Sequence, residues 1–153
     1  MHLTYMALRG NPGGEVPVLI AQLKALKKQD ATELCYRDLN FDDAVGVQLC
    51  EALRYAHAHG GLTKVKTLDL ERNELGDGFI TSFVALLDEG GLAGVEKLVL
   101  SRNAISEQGM QELAAAVTRG GLPSCTILYL DNNPGSGKRG YRKVGEALKQ
   151  RKK

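Results

Sequence analysis

Large rings are scarce in this chain. Trp is absent, and five Tyr and three Phe bring the aromatic share of its 153 residues to only 5%. A core resting on a few big aromatic anchors is thereby excluded. Cysteine is scarce too. Three Cys, an odd number without paired spacings, argue against a secreted disulfide scaffold and for a reducing, intracellular and cytoplasmic setting. No apolar run approaches the ~20 residues that cross a bilayer. Met1-His2-Leu3-Thr4-Tyr5 lacks the charged and apolar segments of a signal peptide. An excess of one charge sign is also missing. The net charge of +2 gives no overall electrostatic pull toward nucleic acid or a membrane. What is present, 43% hydrophobic and 25% charged residues, excludes wholesale disorder. The length suits one domain over 1–153.

Leucine and glycine supply what the rings do not: 23 Leu and 18 Gly. They fall in a repeat. Gly-Gly-Leu occurs at 60–62, 90–92 and 120–122, thirty residues apart each time. After each comes the same run: Val65-x-x-Leu68-x-Leu70-x-x-Asn73, Val95-x-x-Leu98-x-Leu100-x-x-Asn103 and Cys125-x-x-Leu128-x-Leu130-x-x-Asn133. Two weaker copies precede them. Leu3-x-x-Met6-x-Leu8-x-x-Asn11 keeps the asparagine, whereas the copy starting at Ala31 puts Leu39 in its place. Alternating leucines predict a strand with one buried face. Apolar residues at i, i+3 or i+4, and i+7 predict a helix after each asparagine, as at Leu19, Leu23 and Leu26, or Phe79, Phe83 and Leu86. Gly60, Gly90 and Gly120 stand where those helices must stop.

The pattern resembles leucine-rich repeats of the ribonuclease-inhibitor-like class, with units of about 28–30 residues. The resemblance implies an α/β solenoid of about five strand–turn–helix units starting near 3, 31, 65, 95 and 125. A parallel sheet is expected on the concave face and helices on the convex face, with a basic capping helix at 138–153. It also implies a structural asparagine ladder: Asn11, Asn73, Asn103 and Asn133. Three departures are visible. Leu39 interrupts the ladder, the second unit is about four residues too long near Tyr55–His59, and Pro134-Gly135-Ser136-Gly137 replaces the start of the last helix.

On such a sheet Val99, Ile127 and Tyr129 form an apolar island, with Asp69, Glu71, Arg72, Arg102 and Asp131 around it. Aromatic and aliphatic centres with an arginine rim are the composition of binding hot spots. A second feature is hidden in the bland total charge. Residues 138–153 hold eight Lys or Arg against Glu146 alone, so they carry +7 and the other 137 residues carry −5. Lys138, Arg139, Arg142 and Lys143 are therefore candidates for an anionic or acidic partner.

Other constellations fail on physical grounds. Gly135-Ser136-Gly137-Lys138-Arg139-Gly140 matches a dinucleotide fingerprint in letters. It lacks the second strand and the acidic residue ~20 positions on. His57 and His59, two apart on a helix, point away from each other, and no metal ligand set is expected. Cys50 and Cys125 read as core. Cys35 falls on the sheet face and is the likeliest reactive thiol, but no base accompanies it. The expectation is thus a non-catalytic protein-interaction module with no cofactor, no metal, no catalytic residue, no specific nucleic-acid recognition and no membrane span. Alternatives are a GTPase regulator similar to Ran GTPase-activating proteins, or a structural part of a larger complex, receptor-like or actin-capping architecture. Edge-to-edge self-association through the first strand belongs with the last of these.

Overall fold

The computed structural model describes residues 32–151. The unit starting at Leu3, with Asn11 and the stripe from Leu19 to Leu26, lies outside the described residues, as does Ala31. The rest alternates strand and helix: β1 (Glu33–Cys35), α1 (Asp43–Ala58), β2 (Thr67–Asp69), α2 (Asp77–Asp88), β3 (Lys97–Val99), α3 (Glu107–Thr118), β4 (Ile127–Tyr129) and α4 (Arg139–Arg151). The four strands form one parallel sheet in the order β1-β2-β3-β4. Its register follows the sequence beat, with Leu34, Leu68, Leu98 and Leu128 abreast.

Each strand is only three residues long, for a local reason. Asp38, Arg72, Arg102 and Asn132, two residues after the second alternating position, all take left-handed φ values of 59–61°. The chain turns there, and the backbone keeps pairing across the turn: Arg72 N–H donates to Ser101 O at 3.1 Å and Arg102 N–H to Asp131 O at 3.0 Å. The helices end as the glycines require. Gly60, Gly90 and Gly120 have φ of 81°, 85° and 110°, the region glycine enters without penalty. The leucines two places later, Leu62, Leu92 and Leu122, are also left-handed, with φ of 53–68°. Nothing in the sequence pattern announced that.

The core is leucine on leucine. Leu34, Leu68, Leu98 and Leu100 from the sheet side, and Leu49, Leu53, Leu86 and Leu113 from the helices, are fully buried. Phe79 and Phe83 stack at 5.2 Å in the middle. Neighbouring helices pack in order, α1 on α2, α2 on α3 and α3 on α4. The four surplus residues of the second unit are helical: α1 has 16 residues where α2 and α3 have 12, one added turn.

The buried asparagines bond backward along the sheet. Asn73 Oδ1 accepts from Leu39 N–H and Phe41 N–H, both at 3.0 Å, and its amide donates to Tyr36 O at 2.9 Å. Asn133 Oδ1 accepts from Asn103 N–H and Ile105 N–H, both at 3.1 Å. Each asparagine therefore serves the unit before its own. Leu39 receives that service from Asn73 and has no amide to pass on. At the far end no further asparagine exists, and Ser136 takes the role. Its Oγ accepts from Asn133 N–H at 3.0 Å and donates to Leu130 O at 2.6 Å. The Pro134–Gly137 departure is thus a ladder terminus. Gly135 is required there by close approach, since a Cβ would stand 2.6 Å from the Ser106 carbonyl.

The helix starts are linked in the same way. Asp42 caps α1 by accepting from Val45 N–H at 3.0 Å. Gly76 and Ser106, at the N-caps of α2 and α3, offer no such bond of their own. Instead Asp43 Oδ1 accepts from Gly76 N–H at 2.6 Å and Phe79 N–H at 3.1 Å. Asp77 accepts from Ser106 N–H at 2.9 Å and from its hydroxyl. The first acids of α1 and α2 thus each cap the following helix, supplying acceptors to N–H groups that have no intrahelical partner.

Candidate functional site

The sheet face carries two rows of side chains, and burial separates them. At the middle of each strand pair, Cys35, Asp69 and Val99 are buried, with relative exposures of 8%, 5% and 5%, whereas Tyr129 is 49% exposed. Two sequence expectations are corrected by this. Val99 is not part of a surface island, because it sits between Asp69 and Tyr129 on an interior strand. Asp69 is not an available rim charge. Its carboxylate is gripped by Arg37 through Nε at 3.0 Å and Nη2 at 2.7 Å, and it also accepts from Glu71 N–H at 3.0 Å. The same bonds to Asp69 raise the Arg37 pKa. Cys35 is corrected likewise: it is buried, so the sheet offers no exposed thiol.

What remains exposed lies toward β4. Ile127, 41% exposed, and Tyr129 stand two residues apart on the last strand of the sheet. The Lys97 ammonium lies 5.7 Å from the Tyr129 ring centre, within the range of a cation–π contact. Arg102 Nε approaches the half-buried Glu71 at 3.9 Å, and Arg72 is exposed beside them. Asp131 accepts from the Ser101 hydroxyl at 2.6 Å and from Asn132 Nδ2 at 2.9 Å. The Ser101 bond above all holds the Asp131 carboxyl below the usual aspartate range. The site is therefore two large apolar side chains on β4, with a fixed acid, Asp131, and the arginines Arg72 and Arg102 at the turns that follow the strands. Arg37, Lys97 and Ser101 shape it and were not singled out from the sequence. Their signal was available, since each occupies a sheet-face position of the repeat.

A second charged region lies on α4. Lys138, Arg139, Arg142 and Lys143 are exposed, and none of the four is ion-paired to a described carboxylate. The helix packs through Val144 and Ala147, with Tyr141 and Leu148 partly buried against the core. His57 and His59 close α1. His57 Nε2 lies 3.2 Å from Glu89 O, and His59 stacks on Tyr55 at 4.1 Å. Cys50 is buried between helix and sheet, and burial pushes its thiol up to about 12. Among the described residues no helix is long and apolar enough to cross a membrane.

No family model matches the chain, and no curated protein matches it either. Solved structures do match. One of them, described as Leiomodin-1 Actin-Binding Site 2, aligns with a TM-score of 0.69 at 17% identity, covering 92% of this chain and 75% of that one. At that identity the likeness is one of fold. It corrects the resemblance drawn from the repeat. The ribonuclease-inhibitor-like leucine-rich class is supported by no family match, and the structural likeness goes to an actin-binding site instead. The physical reason is that spaced leucines and asparagines prescribe a local strand, turn and helix. They do not name a lineage.

Proposed function

We propose that this chain is a non-catalytic protein-binding module whose partner is held on the sheet face beside β4. Its four described units stack as a short curved solenoid with the sheet inside. The observation that carries the reading is the exposure of Ile127 and Tyr129 together. Elsewhere among the described residues the large hydrophobic side chains are covered, apart from Tyr55. Fully covering such a side chain is worth about 1.5–3 kcal/mol, so half-exposed Ile127 and Tyr129 leave a useful share for a partner. Arg102, Arg72, Glu71 and Asp131 then fix its orientation. The likeness to an actin-binding site supports a protein partner and makes actin the first to test.

The test is binding with and without the centre of the site. Tyr129→Ala combined with Arg102→Ala is expected to abolish co-sedimentation with actin filaments, or capture of the partner set from a lysate, while the circular dichroism spectrum stays unchanged. Full retention of partners by the double variant would remove the sheet face from consideration.

A further inference from the structure

The basic face of α4 has a property that its charge count alone does not convey. Two arginines of the preceding helices are satisfied within the fold. Arg54 pairs with Glu89 in a two-pronged contact, and Arg119 holds Asp88 at 3.1 Å. Arg139, Arg142 and Lys143 have no such partner among the described residues. With Glu146 they line a depression of about 280 Å³. Lys143 and Glu146 also line a larger one, about 430 Å³, between α3 and α4, whose walls include Ala114, Ala115 and Ala147. The two share Lys143 and Glu146 and lie side by side as a furrow, the first lined by cations and the second floored by the alanines, of which Ala115 is exposed.

We propose that the furrow between α3 and α4 binds an acidic protein segment, whose carboxylates meet Arg139, Arg142 and Lys143 and whose small apolar side chains lie on Ala115. Charge complementarity supports the occupant: arginine forks match carboxylates in pairs. Glu146 at the furrow can accept from a peptide's backbone N–H groups, donors that a phosphate or a nucleic-acid backbone does not offer. A bilayer is disfavoured because the apolar side of α4, Val144 and Ala147, is already packed inward. The segment is distinct from the β4 sheet face, so either site stands without the other.

The probe is a short fluorescein-labelled peptide of alternating Glu and Ala, titrated with the full chain and read by anisotropy. Arg142→Glu with Lys143→Glu is expected to weaken binding roughly tenfold or more. Lys149→Glu with Lys152→Glu, which removes the same charge elsewhere, should weaken it much less. Tyr129→Ala should leave peptide binding intact. Equal losses from the two charge-reversal pairs would overturn the proposal by making the attraction a general tail effect. So would a single-stranded oligonucleotide or phosphatidylserine vesicles outcompeting the peptide, or binding that occurs only between copies of this chain.

Discussion

Replacing an asparagine of the ladder by leucine keeps the volume and removes the amide, so the cost is set by which backbone groups are left without partners. Asn133 and Asn103 differ in this respect. In Asn133→Leu the carbonyls survive: Leu100 O keeps the Asn103 amide at 3.1 Å and Leu130 O keeps the Ser136 hydroxyl at 2.6 Å. Two buried donors, Asn103 N–H and Ile105 N–H, lose their shared acceptor. In Asn103→Leu the same inspection leaves one orphan, Leu75 N–H, which lost an acceptor at 3.1 Å. Leu70 O, Leu100 O and Ser101 O all retain another donor. A buried unsatisfied group costs about 1–3 kcal/mol, so the expected losses are about 2–6 kcal/mol for Asn133→Leu and about 1–3 kcal/mol for Asn103→Leu. Against a typical total of about 5–15 kcal/mol, the first variant sits near the edge of folding. Urea denaturation followed by circular dichroism measures both. With a slope of about 1–3 kcal/mol per molar, the Asn103→Leu midpoint should fall by roughly 1 M and the Asn133→Leu midpoint by about twice as much. Equal shifts, or a larger shift for Asn103→Leu, would refute the counting of orphaned donors.

Ser136→Ala leaves Asn133 N–H without its acceptor, while Leu130 O keeps the Asn133 amide at 2.9 Å; a destabilisation of about 1–3 kcal/mol is expected in the same melts, and an unchanged midpoint would contradict the role given to it. Asp77→Ala strips the acceptor from the start of α3, and a loss of about 0.5–2 kcal/mol is expected, with faster amide exchange at Ser106 as the local signature. The Asp131 carboxyl titrates low, so its contribution is present above the ordinary aspartate value of 3.8 and fades as pH falls through the lower folded value. Ser101→Ala should bring the Asp131 titration, followed by carboxyl NMR, back up toward 3.8, and no movement would show that the hydroxyl is not its cause.

Much of the strand–helix alternation was legible because it is periodic. Leu68, Leu98 and Leu128 are abreast in the sheet as their thirty-residue spacing requires. Gly60, Gly90 and Gly120 stop helices because only glycine enters that backbone region freely. The site was less legible. Val99 and Tyr129 occupy the same repeat position, yet one is covered and the other is not, since Val99 lies between β2 and β4 while Tyr129 lies on β4, at an edge of the described sheet. Asp69 looked like a surface acid until Arg37, 32 residues earlier, was seen to hold it. A repeat pattern shows which face a residue points to, and it leaves open what the adjacent unit places on top.

The sequence by itself determined the alternation of strand and helix, the parallel register, the direction of the leucines and the basic character of the last helix. These follow from periodicity and composition, which act within one unit. Only the tertiary structure decided that the first acid of one helix caps the next, that Ser136 closes the asparagine ladder, and that Ile127 and Tyr129 stay exposed while Val99 does not. Those outcomes depend on distances between units some thirty residues apart, where hydrogen-bond geometry and coverage by a neighbour are set by packing and by no local propensity.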